Sequence, residues 1–152
     1  MATQSVTLQN IPLFQTLSLD DINILDDYLG SLSIAVGEVV FQEGDSGDYV
    51  CFVIDGTLDV IKKGLNGQER TIAQIPAGRS IGEMALIDSL QRSATVRGQS
   101  ACRLRVLHRD NFEQLMAEHP AIAAKILHYM VRSLSLALRR TSNKLADNLE
   151  AL

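Results

Sequence analysis

Between residues 31 and 108 the chain is a succession of short apolar or alternating runs cut by glycine-bearing turns, which leaves few folds open. The runs are Val39-Val40-Phe41 and residues 49–54, 58–61, 71–75, 94–96 and 102–107. The turns include Glu43-Gly44-Asp45-Ser46-Gly47-Asp48, Asp55-Gly56, Asn66-Gly67 and Pro76-Ala77-Gly78. Many short strands at this spacing predict an antiparallel barrel or roll. Alternation is clearest at 103–107, where Leu104 and Val106 share one face and Arg103 and Arg105 the other.

Helical patterns flank the β-region. Ser18 precedes Leu19-Asp20-Asp21 as a predicted N-cap with acids in the first turn. Ile22, Leu25 and Leu29 follow at helical spacing, and Gly30 is the predicted stop. After the strands, Asp110 is the predicted cap of a helix through Met116; Pro120 interrupts, and a long helix follows. In that helix Leu127, Val131, Leu134, Leu138, Thr141, Leu145, Asn148 and Leu152 form a seam with a 3.5-residue period. Ile122, Ile126, Tyr129 and Met130 form a second stripe able to dock the helix on the roll. One stripe for the domain and one for a partner predicts a homodimer.

With 152 residues, folding would bury about two thirds of the unfolded surface. That suffices for one core but not for two domains. The expected division of the 1–152 domain is a helical segment at about 10–30, a β-roll at 31–109 and C-terminal helices at 110–152, the last for dimerisation. No uninterrupted apolar run approaches a membrane span, and residues 1–5 lack the basic start of a secretion signal, so a soluble cytoplasmic chain without membrane contact is expected. Cys51 and Cys102, far apart and without CxxC spacing, read as reduced core residues.

The net charge of −4 is uneven: residues 121–152 carry five cations against two acids, leaving the rest at −7. An acidic body argues against broad contact with a nucleic-acid backbone, and the five cations spread over the basic tail read as an ordinary solvated face rather than a polyanion patch. His108, His119 and His128 lie at or beyond the end of the β-region without a close pair, so neither a metal site nor catalysis is expected.

Chemistry concentrates in residues 78–96, where a glycine, an acid, a short helix-competent run and an arginine interrupt the strands. Gly82 permits close backbone approach, and the amides opening the next turn lack internal partners. Arg92 offers a planar fork for two phosphate oxygens, and Ser93 adds a hydroxyl beside it. Glu83 would repel phosphate and suits a sugar hydroxyl. A loop closed by a Glu83–Arg92 ion pair fits the same residues.

Gly82-Glu83-Met84-Ala85-Leu86 followed by Arg92-Ser93-Ala94-Thr95-Val96 resembles the phosphate-binding cassette of the cyclic nucleotide-binding domain family, placed here at 81–96. The turns at 44–48 and 55–56 and the opening Pro12-Leu13-Phe14 resemble the family too. The resemblance implies a jelly-roll-like β-roll, or double-stranded β-helix, with a short N-terminal and a long C-terminal helix. It implies that Glu83 holds the ribose 2′-hydroxyl and that Arg92 meets the cyclic phosphate. Gly82, Ser93 and the amides around Met84 and Ala85 would assist. Ile81 stands where an aromatic residue is common, and Gln91 where proline is common. Thr141 and Ser142 resemble the base-capping pair of the catabolite activator branch, in which both subunits contribute; a seam position for Thr141 and a solvent-facing Ser142 are the alternative reading. Ala137 stands where that branch has a phosphate-facing arginine.

The resemblance thus implies a metal-free sensor for cyclic AMP, with cyclic GMP as the alternative ligand. Occupancy would be relayed through the long helix to an unidentified protein effector. No helix-turn-helix module follows the long helix within these 152 residues, so direct DNA binding is not expected, and the signal passes to a separate partner unless the sequence is part of a longer polypeptide. A nucleotide-free dimerisation module of the same fold is the competing reading.

Overall fold

The computed structural model describes residues 8–9, 11–88 and 90–150. Residues 1–5, Ser89 of the cassette and Leu152 of the helical seam lie outside the described residues. A 3-10 turn at Pro12–Thr16 and helix α1 (Leu19–Asp26) lead into eight strands. These are β1 (Gly30–Ile34), β2 (Val39–Phe41), β3 (Tyr49–Asp55), β4 (Thr57–Lys63), β5 (Glu69–Pro76), β6 (Ser80–Ile81), β7 (Thr95–Gly98) and β8 (Cys102–His108). Helices α2 (Arg109–Glu118) and α3 (Pro120–Glu150) close the chain.

The strands form two antiparallel four-stranded sheets, β1-β8-β3-β6 and β2-β7-β4-β5. This is the mainly β roll with helical flanks that the strand-and-turn pattern predicts. Cys51, Val53, Leu58, Val96, Leu104 and Val106 fill the space between the sheets. A second cluster joins the helices to the outer side of the first sheet: Phe14, Ile22 and Leu25 meet Val50, Phe52 and Leu107, with Phe112, Leu115, Ile122 and Ile126. Strand β3 therefore sends alternate residues into two different cores. Its nearly unbroken apolar run follows, because both faces are covered.

Ser18 caps α1 through its hydroxyl, which accepts from the Asp21 amide at 3.1 Å. Three boundaries differ from expectation. Helix α1 ends at Asp26 with Asp27 as C-cap, so Gly30 is not the stop but the first residue of β1. There a Cβ would lie 2.9 Å from Val106 Cγ2, which explains the glycine by close strand packing. Asp110 is not a cap either; His108 holds that position without a side-chain bond, and α2 runs past Met116 to Glu118. Arg105 alternates outward as expected, yet it is buried under α1, where it pairs with Asp26 at 2.7 Å and donates to the Gly30 carbonyl.

Ile122, Ala123, Ile126 and Met130 dock α3 on the domain. Beyond them Val131, Leu138 and Leu145 of the seam are each at least 60% exposed. Although no unbroken apolar run predicts a span, α3 is long and apolar enough on average to cross a membrane, with a mean hydropathy of 1.3 over 18 residues. Its apolar residues are divided between a stripe packed on the core and the exposed seam.

Candidate ligand-binding site

The interruption between β6 and β7 builds a cavity of about 320 Å³. Strand β6 ends at Ile81, and Gly82 turns the chain with a φ of 85° into a 3-10 turn, Glu83–Leu86. That left-handed conformation favours glycine, and a Cβ there would collide with the Arg92 guanidinium. Gly82, Glu83, Met84, Ala85, Arg92 and Ser93 all line the cavity. Phe41 adds an aromatic wall, and Leu134 brings α3 to its edge.

Arg92 is only 7% exposed, so its charge needs compensation. Its Nη2 donates to the Tyr49 carbonyl at 2.7 Å, and its guanidinium carbon lies 4.0 Å from the Phe41 ring centroid and 4.7 Å from that of Tyr49. The Nε, also buried, has no hydrogen-bond partner among the described residues. A cation held by ring faces and carbonyl dipoles, with one donor still unmet, is suited to an anion. Glu83 does not neutralise it: its carboxylate accepts from the Ser80 hydroxyl at 2.5 Å. The loop closed by a Glu83–Arg92 ion pair is therefore not formed.

The turn at 44–48 positions the returning strand. Gly44 N–H donates to the Arg92 carbonyl at 2.8 Å, and Arg92 N–H donates to the Asp45 carbonyl at 2.7 Å. A Cβ on Gly47 would crowd the Arg92 side chain, so this glycine makes room for the buried guanidinium. The amides behave differently from one another. Ala85 N–H already donates to the Gly82 carbonyl at 3.1 Å, which leaves the Met84 end of the turn as the better anion donor.

Two side chains that sequence reasoning missed hold the cassette in place. Arg109 Nη2 donates to the carbonyls of Ala85 (2.6 Å), Asp88 (2.7 Å) and Gly47 (2.9 Å), and its Nε also reaches Ala85. This residue opens α2, so one guanidinium ties that helix to both loops beside the cavity. Lys62 donates to the Ser93 carbonyl at 2.5 Å and pairs with Glu43 at 3.0 Å. Neither belongs to a local motif; β4 and α2 reach the cassette only through the fold.

Thr141 and Ser142 stand apart from these residues. They are exposed, and the Thr141 hydroxyl donates to its own helix at the Ala137 carbonyl, 3.0 Å away. They follow Leu134 by seven and eight residues, about 11 Å along the axis at the helical rise. Within one chain they are therefore not part of the cavity.

Cys51 lies buried on β3 in the core between the sheets, and burial pushes its thiol pKa up to about 12. The unfolded thiol ionises near pH 9, so Cys51 withdraws stability as pH rises from about 9 towards 12. Native protein at pH 9 should therefore leave Cys51 unmodified by iodoacetamide, while denatured protein is alkylated promptly. Fast native labelling, located by peptide mass spectrometry, would contradict this burial. Cys102 is buried and free as well. Among the described residues no group of three or more His, Cys, Asp or Glu could hold a metal ion.

Comparison with known proteins places this geometry. The chain is 28% identical over 127 residues to the cyclic AMP receptor protein of Thermus thermophilus, covering 84% of this chain and 59% of that protein. It is 34% identical over 109 residues to a cAMP-dependent protein kinase regulatory subunit of Yarrowia lipolytica, covering 72% and 28%. It thus spans about three fifths or less of these relatives. Among solved structures, a cyclic nucleotide-binding domain from Methylobacillus flagellatus superposes with a TM-score of 0.84 at 27% identity, covering 94% of this chain and 84% of the other. The Thermus thermophilus catabolite activator protein gives 0.75 at 28% identity, covering 86% and 62%. A family model described as the cyclic nucleotide-binding domain matches residues 32–119, which takes in every strand from β2 to β8, the cassette and α2. By that match, over more than half of its length, the chain belongs to the cyclic nucleotide-binding domain family.

Proposed function

We propose that the cavity binds a cyclic mononucleotide, cyclic AMP in preference to cyclic GMP, and that occupancy is relayed through α3 to a separate protein. The observation that carries this is Arg92: a buried guanidinium with an unpartnered Nε, beside a carboxylate that faces the same cavity without neutralising it. Arg92 would meet the cyclic phosphate, with Ser93 and the Met84 amide beside it, while Glu83 would take the ribose 2′-hydroxyl. The volume of about 320 Å³ lies within the range of small-molecule sites. Arg92-Ser93-Ala94 resembles the cassette of the catabolite activator branch, and this likeness favours cyclic AMP.

Two contacts support the relay. Leu86 of the cassette packs in the same cluster as Phe112, Leu115 and Ile126 of α2 and α3, and Leu134 of α3 lines the cavity. A ligand drawing on both elements favours the arrangement in which they close on it. The exposed seam of Val131, Leu138 and Leu145 supports a homodimer through α3. A partner helix would be the route by which Thr141 and Ser142 reach the base. The chain would act without catalysis of its own, in the cytoplasm, through an effector protein rather than by contacting DNA or a membrane.

Calorimetric titration with cyclic AMP and cyclic GMP tests the assignment, with cyclic AMP expected to bind more tightly. The competing reading, an idle interaction module, is favoured by the bonds from Arg92 Nη2 to the Tyr49 carbonyl and from Nη1 to the Gly82 carbonyl, which satisfy two donors internally. It requires a melting temperature that neither nucleotide raises, because a ligand selective for the folded state must stabilise it.

Arg109 supplies a separate prediction. Removing its side chain by Arg109→Ala leaves the Ala85, Asp88 and Gly47 carbonyls without their donor and releases the cassette. If the ordered cassette falls to a tenth of molecules, the apparent Kd for cyclic AMP rises about tenfold. Hydrogen exchange should show faster opening at residues 83–88. Unchanged exchange together with unchanged affinity would contradict this role.

A further inference from the structure

A second concave surface, of about 360 Å³, lies round α3 from the cassette. Arg79 enters it from the turn ahead of β6, and Arg132 and Arg140 from α3, with Tyr129, Thr16 and Ser133 between them. At about 100° per residue, these α3 positions face away from Leu134, so the two cavities occupy different sides of the helix. Among the described residues no carboxylate lines this cleft, and none of the three arginines forms an ion pair. The sequence has no acidic residue from 119 to 146, and Lys125, which does pair, is matched to Asp21 of α1. Three like charges thus converge on one small cavity in a chain whose net charge is −4.

We infer that this cleft binds a compact polyphosphate, the inorganic triphosphate group or a small molecule that carries one. Guanidinium forks match the oxygen spacing of phosphate and grip it bidentately. Arg132 and Arg140 start about 12 Å apart along the helix axis, a span their side chains close around an anion seated between them. The Ser133 hydroxyl lines the cavity beside the arginines and the Tyr129 ring gives it a wall, while the Thr16 hydroxyl donates to the Leu13 carbonyl at 3.2 Å. An acidic peptide fits less well, since its charges are strung along a backbone whose own polar groups would need partners in a cavity of this size. The inference is independent of what the cassette binds.

The test is calorimetry of the whole chain with sodium triphosphate, using wild type, the R132Q/R140Q double variant and R92Q. All substituted groups at the cleft are exposed, and thermal melts verify folding of each variant. One triphosphate per chain is expected for wild type, with an affinity at least about tenfold lower in the double variant. R92Q is expected to bind triphosphate like wild type. The inference is overturned by the absence of saturable binding, by unchanged affinity in the double variant, or by loss of binding in R92Q, which would place the anion at the cassette. Tighter binding of a hexaglutamate peptide than of triphosphate would also overturn it, in favour of an acidic protein partner.

Discussion

Replacing Arg92 with glutamine is expected to weaken cyclic AMP binding more than about a hundredfold, because two charge-assisted bonds to one phosphate contribute roughly 3–5 kcal/mol together. The side chain is buried, so its charge acts on the ligand with little solvent screening. Lysine should rescue little. It keeps the charge but not the fork, and it loses the flat stacking against the Phe41 and Tyr49 rings. Titration of wild type, R92Q and R92K measures the effect, and melts without ligand separate binding from folding. Losing the donor to the Tyr49 carbonyl costs the free protein some stability as well. Retention of wild-type affinity by R92Q would remove the guanidinium from the site.

The largest expected effect on stability is at Phe52. This β3 side chain is 1% exposed and packs against Phe14, with ring centroids 5.2 Å apart at an interplanar angle of 55°. It joins the N-terminal turn to the sheet that the helices cover. Phe52→Ala should destabilise the fold by about 3–5 kcal/mol, since transfer and cavity losses add. Domains of this size have total stabilities of about 5–15 kcal/mol. The loss is thus about a fifth or more of the total, and the melting temperature should fall by about 10 °C. Urea unfolding should show a lower midpoint with little change in slope. A shift below about 1 kcal/mol would mean that neighbouring side chains collapse into the space. Because Leu86 and Ile126 belong to the same cluster, nucleotide affinity offers a second readout of whether that core positions the cassette.

The parts of the site readable in the sequence are those in which neighbours in the chain are also neighbours in space. Gly82 turns the backbone, Glu83 follows it, and Arg92 returns ten residues later, so one loop carries these roles. Arg109 and Lys62 were not readable, because arginine ahead of a helix and lysine near a strand end have ordinary solvated explanations. Only pairing of the strands and docking of α2 bring them onto cassette carbonyls. Thr141 and Ser142 show the converse. Their likeness to a base-capping pair is visible in the sequence, but α3 carries them beyond the cavity of their own chain.

The fold divides along the same lines. Glycine spacing, strand-length apolar runs and the helical period are local, short-range properties, and they determine a β-roll with a short helix before it and a long one after it. Helix ends were less secure: the Gly30 and Asp110 signals were overridden by packing against Val106 and by the bonds that Arg109 makes. Burial is not local. The alternation at 103–107 puts Arg105 on the outer face, but whether that face meets water or α1 depends on where a distant helix docks. The sequence thus determined which residues share a face, a loop or a turn, because backbone periodicity sets these. The tertiary structure alone decided which faces are covered and which guanidiniums are held by carbonyls, because desolvation and long-range hydrogen bonds exist only once separate elements meet.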